Sequence, residues 1–269
     1  MVTNALSILS TLQEAADWRA SGHAIRGETL VMLGRIGLWT SLTVYAVFLA
    51  RALVRSRRYR ASSVLGAEAL AAIHAELVLA ERKTVGEIVP VVLERSDEHP
   101  GASWLAALTF LLLGSGLLAP ILPWGEPWLV LLLQLGFLAL GYASARSLPD
   151  FQRLFVSEAR ATEMAEEQAF QEFHRHGLHR TEAQTGVLVF VSLFERRAIV
   201  LGDEGIDAKV SEDHWKATTE LILKGIAAGS LQDGLVAGIR SCGAVLAEHF
   251  PWKEGDRNEV PDRVIVRGE

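Results

Sequence analysis

Two stretches of the chain carry no charged side chain and each runs for about one bilayer thickness: Trp104 to Leu122 (WLAALTFLLLGSGLLAPIL) and Trp128 to Ala145 (WLVLLLQLGFLALGYASA). At ~1.5 Å per residue a helix of either length covers the ~30 Å hydrocarbon layer. The connector Pro123-Trp124-Gly125-Glu126-Pro127 supplies a helix stop and restart. Trp104, Trp124, Trp128 and Tyr142 stand where amphipathic rings favour the headgroup layer. The pattern predicts a transmembrane hairpin, with a buried soluble hairpin as the alternative. An earlier apolar run, Ile36 to Val54, contains Arg51 and borders Arg35. It reads as a first span whose arginines snorkel to the headgroups, or else as an interfacial helix.

Outside these runs the periodicity is that of a soluble α/β protein. From Ser62 to Arg82, apolar residues recur at helical spacing among Glu68, Glu76 and Glu81, and a short β-branched strand, Val85 to Leu93, follows. Past the hairpin, Phe151 to His176 predicts one long acidic helix stopped by Gly177. Gly186 to Phe194 is almost continuously apolar, as the buried centre of a sheet requires. The turn Glu195-Arg196-Arg197 then leads into Ala198 to Gly202, predicting an antiparallel strand pair. Two amphipathic helices close the pattern, one starting at Ser211 and ending at Gly229, the next capped by Asp233 and ending before Pro251. The tail from Trp252 to Glu269 is polar and expected to be loose, apart from Val264-Ile265-Val266.

Charge fixes an expected orientation. Arg51, Arg55, Arg57, Arg58 and Arg60 follow the first apolar run, Arg146 and Arg153 follow the hairpin, and the hairpin's connector holds Glu126 and no basic residue. The positive-inside rule places both flanks of the hairpin in the cytoplasm, with a multi-pass location in the inner (plasma) membrane. The same arginines suit a lipid headgroup surface. A net charge of −6 offers no basic field for a nucleic-acid backbone, so membrane lipid and another membrane protein are the expected partners. The single cysteine, Cys242, excludes an intrachain disulfide. No cleavable signal peptide is expected in residues 1–29.

Common catalytic and nucleotide-binding motifs are absent, so no catalytic or cofactor-binding residue is assigned. His174, His176 and His179 offer imidazoles to a metal, but their place at a helix end is explained equally by the helix dipole. The loop Gly202-Asp203-Glu204-Gly205-Ile206-Asp207 holds three carboxylates. Asp203, Glu204 and Asp207 suit a hard cation such as calcium, the alternative being a solvated acidic loop. Glu87, in the first strand, is a weaker candidate.

The succession Thr84 to Val92, Thr185 to Leu193, Glu195-Arg196-Arg197 and Gly202 to Ile206, with Lys209, Trp215 and Asp233-Gly234-Leu235, resembles the TPM domain family over about residues 65 to 250. The resemblance is to its bacterial membrane-anchored branch, with the hairpin occupying the connection after the first strand. It implies an α/β fold, a small mixed sheet sandwiched by helices, alongside the transmembrane α-helices. It also implies that acidic loop residues bind calcium. Some members of the family are assembly or modulatory proteins, which makes a non-enzymatic assembly or regulatory factor the first expectation. A plant branch has been linked to acid phosphatase action, which makes a metal-dependent phosphatase the second. The expected organisation is an N-terminal tail (1–29), a first span and basic flank (30–60), a first domain part (61–102), the hairpin (103–146), a second domain part (147–250) and a polar tail (251–269).

Overall fold

The computed structural model describes residues 64–119 and 125–268, with Thr43, Val47 and Ala50 besides. Apart from those three positions, the expected first span and its arginine-rich flank lie outside the described residues. The chain divides into two compact units, Met1–Arg51 with Ser103–Ser147 and Ala52–Ala102 with Leu148–Glu269.

The described part of the first unit contains helices α2 (Pro100–Leu118) and α3 (Pro127–Ser147), which follow α1 (Ala67–Glu81) and β1 (Glu87–Leu93) in the chain. Both are long and apolar enough to cross a membrane. Small residues let the two helices approach. A Cβ on Gly141 would fall 2.8 Å from the Ala106 carbonyl oxygen and from Phe110, and one on Gly114 would meet the Phe137 ring at the same distance. Close approach through glycine is how helices associate where lipid removes the hydrophobic drive between them. The Trp104 and Tyr142 rings meet at 5.0 Å near the end of the pair. Leucines that would be anomalous in water stand outward, Leu112 at 71% and Leu117 at 65% exposed.

The second unit is an α/β sandwich. Its sheet runs β3-β2-β1-β4, from β1 (Glu87–Leu93), β2 (Gly186–Ser192), β3 (Arg197–Gly202) and β4 (Ile265–Arg267). β1 lies parallel to β2 and to β4, and β2 and β3 form the expected antiparallel pair. Both faces of β1 and β2 are buried, which explains their near-continuous apolar sequences. On one face Ile88, Val92, Val187, Val189 and Val191 pack with α1 (Ala67–Glu81), α7 (Glu212–Ala227) and α8 (Leu231–His249). On the other, Val89, Val91, Leu188 and Phe190 pack under Ala165, Ala169 and Phe173 of α5 (Glu158–Arg175). A parallel pair requires a long crossover, and the Leu93-to-Gly186 connection contains the apolar hairpin, α4 (Pro149–Arg153) and α5.

Two expectations on local structure are corrected. The stretch Phe151 to His176 is two helices: α4 stops at Arg153, and the Ser157 side chain accepts from the Arg160 N–H to start α5 afresh. The cap of α8 is Ser230, whose hydroxyl accepts the Asp233 N–H; Asp233 itself sits in the first turn. The Val264-Ile265-Val266 run set apart in the tail supplies Ile265 and Val266 of β4, which pairs with Val91 to Leu93 only. Its ion pair between Arg267 and the fully buried Glu172 adds a charge clamp to the ladder.

Candidate metal centre

The pairing of β4 leaves a gap that organises the site. Glu87 N–H bonds to Thr185 of the β2 side, so alternation turns the N–H of Ile88 and the ring nitrogen of Pro90 the other way, where β4 reaches only from Val91 onward. Proline needs no acceptor there. Ile88 does, and its N–H donates to Glu81 Oε1 at 3.0 Å. Glu81 is the last residue of α1, where Ile73, Leu77 and Ala80 turn into the core. Helical geometry thereby delivers a carboxylate to the opened margin of β1.

Two further carboxylates converge on it. Glu87, the first residue of β1, is 6% exposed, and its Oε1 accepts the Glu259 N–H at 2.9 Å. Asp262 arrives on the tail just before β4 and is braced by the Asn258 amide. One oxygen from each of Glu81, Glu87 and Asp262 lies within 4.8 Å of the others. Burial pushes the Glu81 carboxyl up to about 9; the Ile88 N–H opposes this, and the charges of Asp262 and Glu87 add to it. Burial likewise raises Glu87 to about 7, against the Glu259 N–H and with the charges of Asp262 and Glu259. Close carboxylates away from water retain protons or hold a cation.

The donor set fits a hard divalent ion. All three candidate donors are carboxylate oxygens, the choice of calcium and magnesium, and Glu81 Oε2 is buried with no hydrogen-bond partner. Glu81 also marks what sequence reasoning missed. A carboxylate in the last turn of a helix opposes the helix dipole, and that misfit was the available signal. Glu87 carried a second signal, as a charge in an otherwise apolar strand.

Of the sequence candidates, Glu87 stands in this cluster and the others lie elsewhere. Asp203 caps the short helix α6 (Glu204–Asp207), its Oδ1 accepting the Glu204 N–H at 2.9 Å while Oδ2 is buried without a partner. Asp207 accepts the Trp215 indole N–H at 3.4 Å, and Glu204 is exposed. These three are not the carboxylates gathered within 4.8 Å. His176 sits 3.1 Å from Glu172, and burial lowers its pKa despite that carboxylate. The His174 and His179 rings lie 4.8 Å apart; His174 Nδ1 bonds to the Phe170 carbonyl and the Arg180 guanidinium donates to His179.

At the carboxyl ends of β1 and β2, where open α/β sheets commonly bind ligands, the chain instead builds a closed polar knot. Glu195 is 0% and His99 3% exposed. Glu195 Oε1 lies 2.7 Å from His99 Nε2, and its Oε2 accepts the Ser96 N–H at 3.0 Å and the Ser192 hydroxyl. Burial works against ionisation of Glu195, but the bonds from His99, Ser192 and Ser96 outweigh it and hold the carboxyl below its ordinary value. His99 adopts φ 49°, stabilised by Asp97, and stacks on Phe194.

A mixed sheet between helical layers, with its parallel crossover carrying an apolar helix pair, defines the class as a membrane-compatible α/β sandwich. The family model described as TPM domain matches residues 150–245 of the chain. The BA42 protein from the psychrophilic bacterium Bizionia argentinensis, solved by NMR, is similar at 25% identity and a TM-score of 0.48, covering 76% of this chain and 95% of that one. No curated protein matches the chain. The α/β fold expected from the resemblance is the one observed.

Proposed function

We propose that this chain is a membrane-anchored TPM-domain binding module, loaded with calcium or a similar hard divalent cation, that assists assembly or regulation of a membrane complex without catalysing a reaction of its own. The observation that carries the reading is the convergence of Glu81, Glu87 and Asp262 from a helix, a strand and the tail. An ion there would tie the tail, and with it β4, to the body of the domain. Its role in this reading is structural: it offsets three crowded negative charges and fixes the surface a partner meets.

The test is calcium titration of the full chain in detergent micelles. Glu87→Gln combined with Asp262→Asn abolishes measurable binding, whereas Asp203→Asn combined with Asp207→Asn leaves it intact. The opposite pattern moves the ion to the acidic loop. Calcium-dependent phosphate-ester hydrolysis lost in the first double variant would replace the module by a phosphatase.

In the same reading the two apolar helices span the inner membrane and the α/β unit faces the cytoplasm. Cysteines placed at Gly125 and Ser230 in a Cys242→Ser background report this directly. In intact cells an impermeant thiol reagent labels position 125 and spares 230; labelling at 230 puts the domain outside.

A further inference from the structure

Strand β3 forms the margin of the sheet opposite β4, and among the described residues no strand pairs with its outer side. The Asp203 N–H bonds to Gly186 O at 2.9 Å, and Leu201 and Ile199 follow opposite Leu188 and Phe190. Antiparallel alternation turns the N–H and C=O groups of those residues toward β2 and the groups of Ala198 and Val200 outward. Natural sheets blunt an open margin with lysine, proline or a bulge. The β3 sequence Arg-Ala-Ile-Val-Leu-Gly has one cation, at its start, and no proline.

The margin is not flush with solvent. A groove of about 770 Å³ runs along it, between Glu166 of α5 on one side and Trp215, Lys216 and Glu220 of α7 on the other. Its rim is acidic. Glu166, Asp207, Glu212 and Glu220 face one ammonium, Lys216, which Glu212 already engages at 3.0 Å. Phosphate-bearing ligands are repelled by such a rim, and so are acidic chains. An extended chain with basic side chains satisfies the backbone groups and the rim together.

We propose that the β3 margin is a docking site for an extended basic segment of a partner protein. The segment adds to the sheet as a further strand, its backbone paired with Ala198 and Val200 and its lysines or arginines directed at Glu166 and Glu220. This names the partner chemistry of the binding module and rests on that reading, not on the cation.

The experiment uses the full chain in micelles and a short synthetic peptide alternating arginine or lysine with valine. Two controls accompany it, one with acidic residues in place of the basic ones and one with a central proline. The basic peptide binds by fluorescence anisotropy and slows amide exchange at Ala198 and Val200. Both controls bind far more weakly. Exchanging the exposed Glu166 and Glu220 for lysine weakens the basic peptide about tenfold. Equal binding of the acidic or proline-containing peptide, exchange protection confined to other elements, or an unchanged affinity in the double variant would each overturn the proposal. Hydrolysis of a phosphate ester by the same preparation would remove the module reading itself. Absent peptide binding without hydrolysis removes this surface alone.

Discussion

Replacing Glu195 by alanine is expected to cost the α/β unit about 3–5 kcal/mol, the range for removing one partner of a buried ionic contact. Glu195 receives hydrogen bonds from His99, Ser192 and the Ser96 backbone at a site with no solvent exposure, so its removal strands all three donors together. Each buried unsatisfied group costs roughly 1–3 kcal/mol. A domain of this size holds about 5–15 kcal/mol in total, so the variant approaches the limit of folding. Glu195→Gln keeps the shape and one acceptor and is expected to lose less. Pulse proteolysis in urea on the full chain measures both. An alanine variant within about 0.5 kcal/mol of the parent, the range of a neutral surface change, would show that the knot contributes nothing.

The second large effect is a dependence of stability on pH that calcium abolishes. Glu81 and Glu87 have folded values raised to about 9 and about 7 from an ordinary 4.5. Between those limits the folded state binds more protons than the unfolded one. Stability without calcium is therefore greatest near pH 4.5 from these groups and falls as pH rises through 7 and on to 9. The slope is about 1.4 kcal/mol per pH unit for each proton held only by the folded protein. Saturating calcium takes the place of the protons and flattens the slope above neutrality. The tail is expected to respond first, because Asp262 and Glu259 reach the site from it. Unfolding midpoints at several pH values, with calcium and with a chelator, give the result. A metal-free midpoint that rises from pH 6 to 9 would contradict the carboxylate assignment.

How much of this could be read in advance depended on how local the physics was. The apolar pair Trp104–Leu122 and Trp128–Ala145 was legible because length and absence of charge are properties of a short window. So were the strand Gly186 to Phe194 and its antiparallel partner, joined by a tight turn. The break at Ser157 was written in a good cap residue followed by glutamate, but the surrounding helical periodicity masked it. Ser230 and Asp233 are both plausible caps in sequence, and only geometry separates them.

The candidate site was hardly legible. Glu81, Glu87 and Asp262 meet because a three-residue strand in the tail pairs with β1 and carries Asp262 across the sheet margin. No local rule foretells a pairing so short and so distant in the chain. The acidic loop drew attention because its carboxylates are neighbours in sequence. In the fold two of them serve local structure, Asp203 as a helix cap and Asp207 as the acceptor for Trp215. The open margin of β3 was implicit in the strand's sequence but not its position at the end of the sheet.

The number of protons released when calcium binds, obtained from calorimetric titrations at pH 7 in buffers of different ionisation enthalpy, tests the three-carboxylate site directly. With Glu81 near 9 and Glu87 near 7, each ion bound is expected to release between one and two protons. Glu87→Gln lowers that release along with the affinity. Calcium binding with no proton release, or with a release that Glu87→Gln leaves unchanged, would contradict that site.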